Sequence, residues 1–240
     1  MISEASATLG DIFAAPSAAA QRIDTRPTWI LALVVLAALF MLGSILQSEE
    51  VHHVQGVQLQ ASLQRSSEGM SAQQQDAAVA EVMQRPPLAD WGSLVLAFMF
   101  VLAALGLATG TAALICVFGG GGASGRRLWA FVVNASVPAL GLYLVTTGIL
   151  ARARGPGAYS SYDDLLSAVP SALSLLVFTN GAFARACLTA INPFTLWMAY
   201  LYYVMFREIG RTGPNPALAG SILLTAGGVL LQGGIAAISG

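Results

Sequence analysis

The chain has 240 residues, 56% apolar and only 10% charged, with a mean hydropathy of +0.70; an ordinary soluble domain carries about 25% charged residues. So little charge cannot cover a soluble surface of this size, and the composition argues for one membrane domain. The net charge of −1 leaves no electrostatic footprint for nucleic acid, and all eleven basic residues are Arg, which removes Schiff-base and P-loop lysines and points to a GC-rich bacterial genome.

Residues 1–27 read as a cytoplasmic or interfacial segment. Ile12, Phe13 and Ile23 are its apolar positions, and Trp29 just beyond suits the headgroup boundary. Five apolar runs follow, over 28–46, 92–118, 128–151, 186–206 and 216–239. Each is long enough to cross ~30 Å of hydrocarbon with ~20 helical residues. None has an ionisable residue in its interior. The first run is too long for a signal-peptide core and no A-x-A site follows, so it reads as a retained anchor.

The outer loop 47–91 is polar and Gln-rich. Its residues 51–64 form one helical piece, and Gly69 separates a second. Ser71 with Gln74 makes a capping box there, and Pro86-Pro87 stops the helix. An extracytoplasmic helical hairpin is expected, with a solvated connector as the alternative. His52-His53 beside Glu49-Glu50 offers metal-ligand residue types. Neighbouring helical residues point about 100° apart, so a solvated juxtamembrane segment is the plainer reading.

In the second run, Gly106-x-x-x-Gly110 has the spacing that lets helices approach closely. Gly233-x-x-x-Ala237 repeats it in the last run, which also holds Gly220, Gly227 and Gly228. Packing inside one bundle, a subunit interface and a substrate groove all remain open for these residues. Residues 120–125, GGGASG, match G-x-G-x-x-G, but a membrane helix precedes them where a dinucleotide site needs a strand. A cytoplasmic turn is expected. Asn134 and Pro138 stand one turn apart in the third run, where proline frees a backbone carbonyl near Asn134. That makes a kink or part of a ligand site.

The outer loop 152–185 contains the apolar but short 164–179, with Pro170 inside; an interfacial or re-entrant helix is expected. In the fourth run, Asn192 suits an N-cap and Pro193 the first helical position. Phe194, Trp197, Tyr200 and Tyr203 follow at i, i+3 spacing on one face. That face fits a partner or lipid contact, or bundle core.

Arginine placement sets orientation. Arg22 and Arg26, Arg126 and Arg127, and Arg207 and Arg211 flank three short segments that fall on one side if the N-terminus is cytoplasmic. Five spans then leave the C-terminus extracytoplasmic. Cys116 and Cys187 would lie near opposite faces, beyond disulfide reach. Nothing groups titratable residues as acid–base or metal chemistry requires, so neither an enzyme nor a cofactor is expected.

Three stretches carry a resemblance. IFAAPSAAAQRIDTRPTW, RRLWAFVVNASVPALGLYL and LTAINPFTLWMAYLYYVMFREIG, in this order and with five spans, resemble the bacterial form of the Yip family, the Ypt/Rab-interacting five-span membrane proteins. The resemblance covers most of the chain from about residue 10. It departs after Trp197, where YLYYVMFREIG replaces the family's more apolar run. The resemblance implies an all-α polytopic bundle without catalytic chemistry, working with another membrane protein or with itself in the bilayer. It further implies a scaffold or accessory subunit, for instance of an ABC-type exporter. The competing expectation is a permease or channel for an apolar or small uncharged substrate. A polar cavity at mid-depth would favour the second, a solidly packed bundle the first.

Overall fold

The computed structural model describes residues 2–65, 71–86, 91–175 and 181–239. Among them the chain is all-helical, with no strand. Helices α1 (Ile2–Ala14) and α2 (Pro16–Thr25) form an N-terminal hairpin; Pro16 opens α2 where its missing N–H costs nothing. Then come α3 (Ile30–Arg65), α4 (Ala72–Met83), α5 (Trp91–Phe118), α6 (Gly125–Ser136) and α7 (Leu142–Arg154). A π turn at Val137–Gly141 joins α6 to α7 without ending the helix. Beyond short helical turns and α8 (Tyr162–Leu166) lie α9 (Ala182–Ala190), α10 (Pro193–Val204) and α11 (Pro214–Ser239).

Four helices among the described residues are long and apolar enough to cross a membrane: Ile30–Arg65, Trp91–Phe118, Gly125–Arg154 and Pro214–Leu231. The run expected as one helix over 186–206 is broken instead. Helix α9 stops at Ala190, Ile191 and Asn192 are extended, and α10 restarts at Pro193. Proline removes a helical donor and pushes the residue before it out of the α region. Asn192 then caps the new helix, accepting from Phe194 N and Thr195 N at 3.0 and 3.1 Å.

Segment 47–91 forms a helical hairpin among its described residues, but the first arm is not separate. Helix α3 continues unbroken from the first apolar run to Arg65, about 54 Å at 1.5 Å per residue. The capping box of α4 is present, with Ser71 N–H donating to Gln74 Oε1 at 3.0 Å and Gln74 N–H to Ser71 Oγ at 3.4 Å. Gly69 and Pro87 lie outside the described residues. In 164–179 the described part holds the end of α8 and a 3-10 turn at Ala172–Leu175, not one helix; 176–179 lie outside.

Helices α3 and α7 are parallel neighbours. A Cβ on Gly43 would stand 2.8 Å from Leu144 Cβ, and one on Gly148 would stand 2.6 Å from Leu46 Cβ. The pairing advances in the same direction along both chains, so both helices start at the same end. Gln47 Nε2 seals the seam by donating to Leu144 O at 2.8 Å.

That shared end gathers the arginine segments. Asp24 bridges Arg127 at 2.8 Å and Arg211 at 3.2 Å. The glycine loop after α5 lies against the loop before α11, with Gly122 N–H donating to Gly210 O at 3.0 Å. The N-terminal hairpin is not merely interfacial. Ile12 and Ile23 are fully buried in one core with Leu128, Phe131, Phe206 and Ile209, while Phe13 stays exposed. Each buried Ile is worth about 1.5–3 kcal/mol against water.

Candidate functional site

Asn134 is buried and structurally committed. Its Nδ2 donates to Thr28 O at 2.9 Å and Ala130 O at 2.8 Å, tying α6 to the residues entering α3. Pro138 sits in the π turn, where Leu142 N–H reaches Val137 O and Val137 N–H reaches Asn134 O. The pair therefore marks a π turn within a continuous helix, and Asn134 is committed to backbone carbonyls and is not among the lining residues of the cavity described below.

The aromatic series of α10 splits. Trp197 and Tyr200 meet with ring centroids 5.4 Å apart and planes tilted by 45°. Trp197 and Tyr203 are half-buried against the core, and Tyr200 is exposed. Phe194 turns instead to Tyr143, edge-on at 5.8 Å.

The small residues also divide. A Cβ on Gly106 or Gly110 would meet no atom within 4 Å among the described residues, so this pair does not serve packing among them. The surroundings of Gly233 lie outside the described residues. Close approaches include those at Gly43, Gly141, Gly148 and Gly220; a Cβ on Gly220 would stand 2.6 Å from Ile115 Cγ2. Gly141 and Gly148 are seven apart, two helical turns, and that stripe was the available sequence signal.

A cavity of about 320 Å³ lies between α5, the π turn, the α9–α10 break and α11. Its walls include Leu105, Ser136, Tyr143, Asn192, Tyr202 and Thr225. At 1.5 Å per residue, Leu105, Ser136 and Thr225 stand roughly 16–20 Å from the arginine end, the middle of a ~30 Å core. Irregular backbone at that depth is tolerated where it is buried or lines a cavity; Asn192 does both, and the exposed Ile191 has its carbonyl satisfied by Ala172 N–H at 2.8 Å. No charged side chain is among the described residues lining the cavity. Asn192 was expected only as a cap; its role as a wall depends on three helices distant in sequence.

Glu50 overturns the solvated reading of the segment around His52. Glu50 is fully buried and His52 nearly so, while Glu49 reaches out to Arg152 at 3.3 Å. Neither carboxylate oxygen of Glu50 has a hydrogen-bond partner among the described residues. It lies one turn before Val54, which packs with Ala151, Tyr159, Leu165 and Ala168. Gly43, Gln47, Glu50 and Val54 follow at spacings of four, three and four. They form a single helical stripe, legible only once α3 is known to continue.

Cys116 and Cys187 are free thiols on separate elements. Cys116 is buried near Gly210 at the arginine end, and Cys187 Sγ lies 3.7 Å from Val229 O. Outside the membrane-crossing helices, Arg26 hydrogen-bonds the Glu4 carboxylate at 2.6 Å and holds its pKa below the ordinary value.

The chain matches no protein-family model, no curated protein and no solved structure.

Proposed function

We propose that this is a bacterial inner-membrane protein with five crossings, a cytoplasmic N-terminus and an extracytoplasmic C-terminus. On this reading α9 and α10 together form the fourth crossing. From Pro193 to Ile209 the chain is continuously helical, about 25 Å at 1.5 Å per residue, and α9 supplies the remainder. The sharing of Asp24 by Arg127 and Arg211 supports a common side for the three arginine segments.

Its proposed role is that of a non-enzymatic partner, scaffold or accessory subunit of another membrane assembly, an ABC-type exporter being one such assembly, or of a second copy of itself. One observation carries this reading. Helix α5 exposes Gly106 and Gly110 with nothing over them, beside exposed Leu107 and Leu114. Small residues flanked by large apolar ones suit close approach by another transmembrane helix. The order of motifs that resembles the Yip family agrees with it. The test is copurification in mild detergent, with Gly110→Leu as the probe. The partner should be lost from the variant; a wild-type protein that stays a lone monomer in several detergents would refute the proposal.

The mid-depth cavity favours a second reading, a permease or channel for an apolar or small uncharged substrate. Uptake into vesicles with and without the protein would test it.

A further inference from the structure

We infer that the mid-depth cavity is a binding site for an uncharged, single-headed amphiphile drawn from the bilayer: a long apolar chain ending in one hydroxyl or carbonyl group. This deepens the second reading above and shares only its membrane setting with the first. The occupant can be carried across or simply held.

The hydrogen-bond inventory of the walls is the starting point. Ser136 Oγ donates to Val132 O and Thr225 Oγ1 to Ser221 O, both at 2.8 Å. Thr195 Oγ1 donates to Ala190 O. Asn192 spends its oxygen on the cap of α10 and its Nδ2 on Thr189 O and Ala190 O. Tyr143 has Thr147 as a side-chain partner. Tyr202 is different: the residue is only 6% exposed, it lines the cavity, and its hydroxyl makes no hydrogen bond among the described residues. The hydroxyl is not sealed off by protein atoms; a tyrosine so largely buried ordinarily places its hydroxyl against a hydrogen-bond partner, and this one is left open for a ligand to supply it.

The remaining lining defines the rest of the ligand. Leu105, Ala139, Leu140, Met198 and Leu224 offer apolar surface, and the absence of a charged group among the described lining residues disfavours a carboxylate or phosphate, which would be buried unpaired. The volume falls at the low end of the ~300–1,000 Å³ of small-molecule sites, enough for part of a chain and its headgroup. Ala104 and Gly228, both exposed, stand at its margin on α5 and α11. At mid-depth that margin faces lipid, so access is lateral. The broken helix is already capped by its own side chains, so the site is preformed.

The experiment is photolabelling of the full chain in lipid nanodiscs with a diazirine-bearing long-chain alcohol, read by peptide mass spectrometry. Adducts should concentrate on the peptides holding Met198 and residues 224–229. Excess unmodified alcohol should compete and the matching long-chain carboxylate should not. Tyr202→Phe keeps the ring and removes the handle; labelling should fall about five- to tenfold, the worth of one hydrogen bond. Gly228→Leu, at a position with no atom near its Cβ, should fold normally and block labelling. Even labelling along the lipid face of α5 that Tyr202→Phe leaves unchanged would overturn the inference, as would equal competition by the carboxylate. Gly110→Leu separates the two readings: it should abolish copurification yet leave labelling intact, and Tyr202→Phe should do the reverse.

Discussion

The arginine end and the middle of the bundle are built from similar residues to opposite effect. At the arginine end, glycines bring backbones together: a Cβ on Gly121 would stand 2.0 Å from Gly210 O. Polar side chains there are paired, as Asp24 is with two arginines, and the N-terminal hairpin fills the remaining apolar space with Ile12 and Ile23. In the middle, among the described residues, Gly106, Gly110 and Gly228 have nothing over them, the Tyr202 hydroxyl has no partner, and a cavity lies between α5, α10 and α11. One end is closed by the chain itself; the middle leaves space for something else. A glycine in a membrane helix therefore has meaning only through what approaches it.

That contrast can be broken first where it is strongest. Gly121→Ala should destabilise the fold by about 1–3 kcal/mol or more, because the methyl group meets backbone that cannot yield without moving both loops. Alanine at Gly110, by comparison, should leave the thermal midpoint in detergent unchanged. Equal effects at the two positions would dissolve the distinction.

Glu50 gives a mid-sized effect of opposite sign. A buried carboxylate without a partner costs stability, so Glu50→Met, similar in shape and apolar, should stabilise by about 1–3 kcal/mol in thermal or denaturant unfolding. A loss of stability would mean that the carboxylate has a cation or ordered water as its partner.

The smallest effect lies on the N-terminal hairpin. Arg26 lowers the Glu4 pKa from 4.5. A carboxylate with a lowered folded value contributes fully above its ordinary value and loses that contribution as pH falls through the folded one. Hydrogen exchange over Ile2–Ala14 should therefore quicken slightly, after correction for the intrinsic rate, only as the solution is acidified below that range. Salt should weaken the pair at neutral pH. Unchanged protection down to the acid limit would show that the ion pair does not hold α1.

Local signals carried much of this fold. Apolar length picked out five runs, four of which are helices long enough to cross a membrane while the one over 186–206 is broken, and the caps at Ser71 and Asn192 fell where serine with Gln74 and asparagine with Pro193 put them, because capping is settled within four residues. What stayed hidden depends on partners far along the chain. Glu50 looked solvated because the polar sequence after residue 46 gave no sign that α3 runs on against α7. Gly106-x-x-x-Gly110 matched a packing motif, yet the close approaches fell at Gly43 and Gly148, set by a helix pairing about a hundred residues apart. The break at Ile191–Asn192 was visible as Asn-Pro, but the cavity beside it needed α5, the π turn and α11 to be brought together.

The central claim is that the arginine end is cytoplasmic and that α9 and α10 together complete a crossing. Alkaline phosphatase and fluorescent-protein fusions at Gly240 test it directly. Five crossings predict active phosphatase and dark fluorescent protein, with the C-terminus outside; bright fluorescence and inactive phosphatase would place it inside and contradict the account.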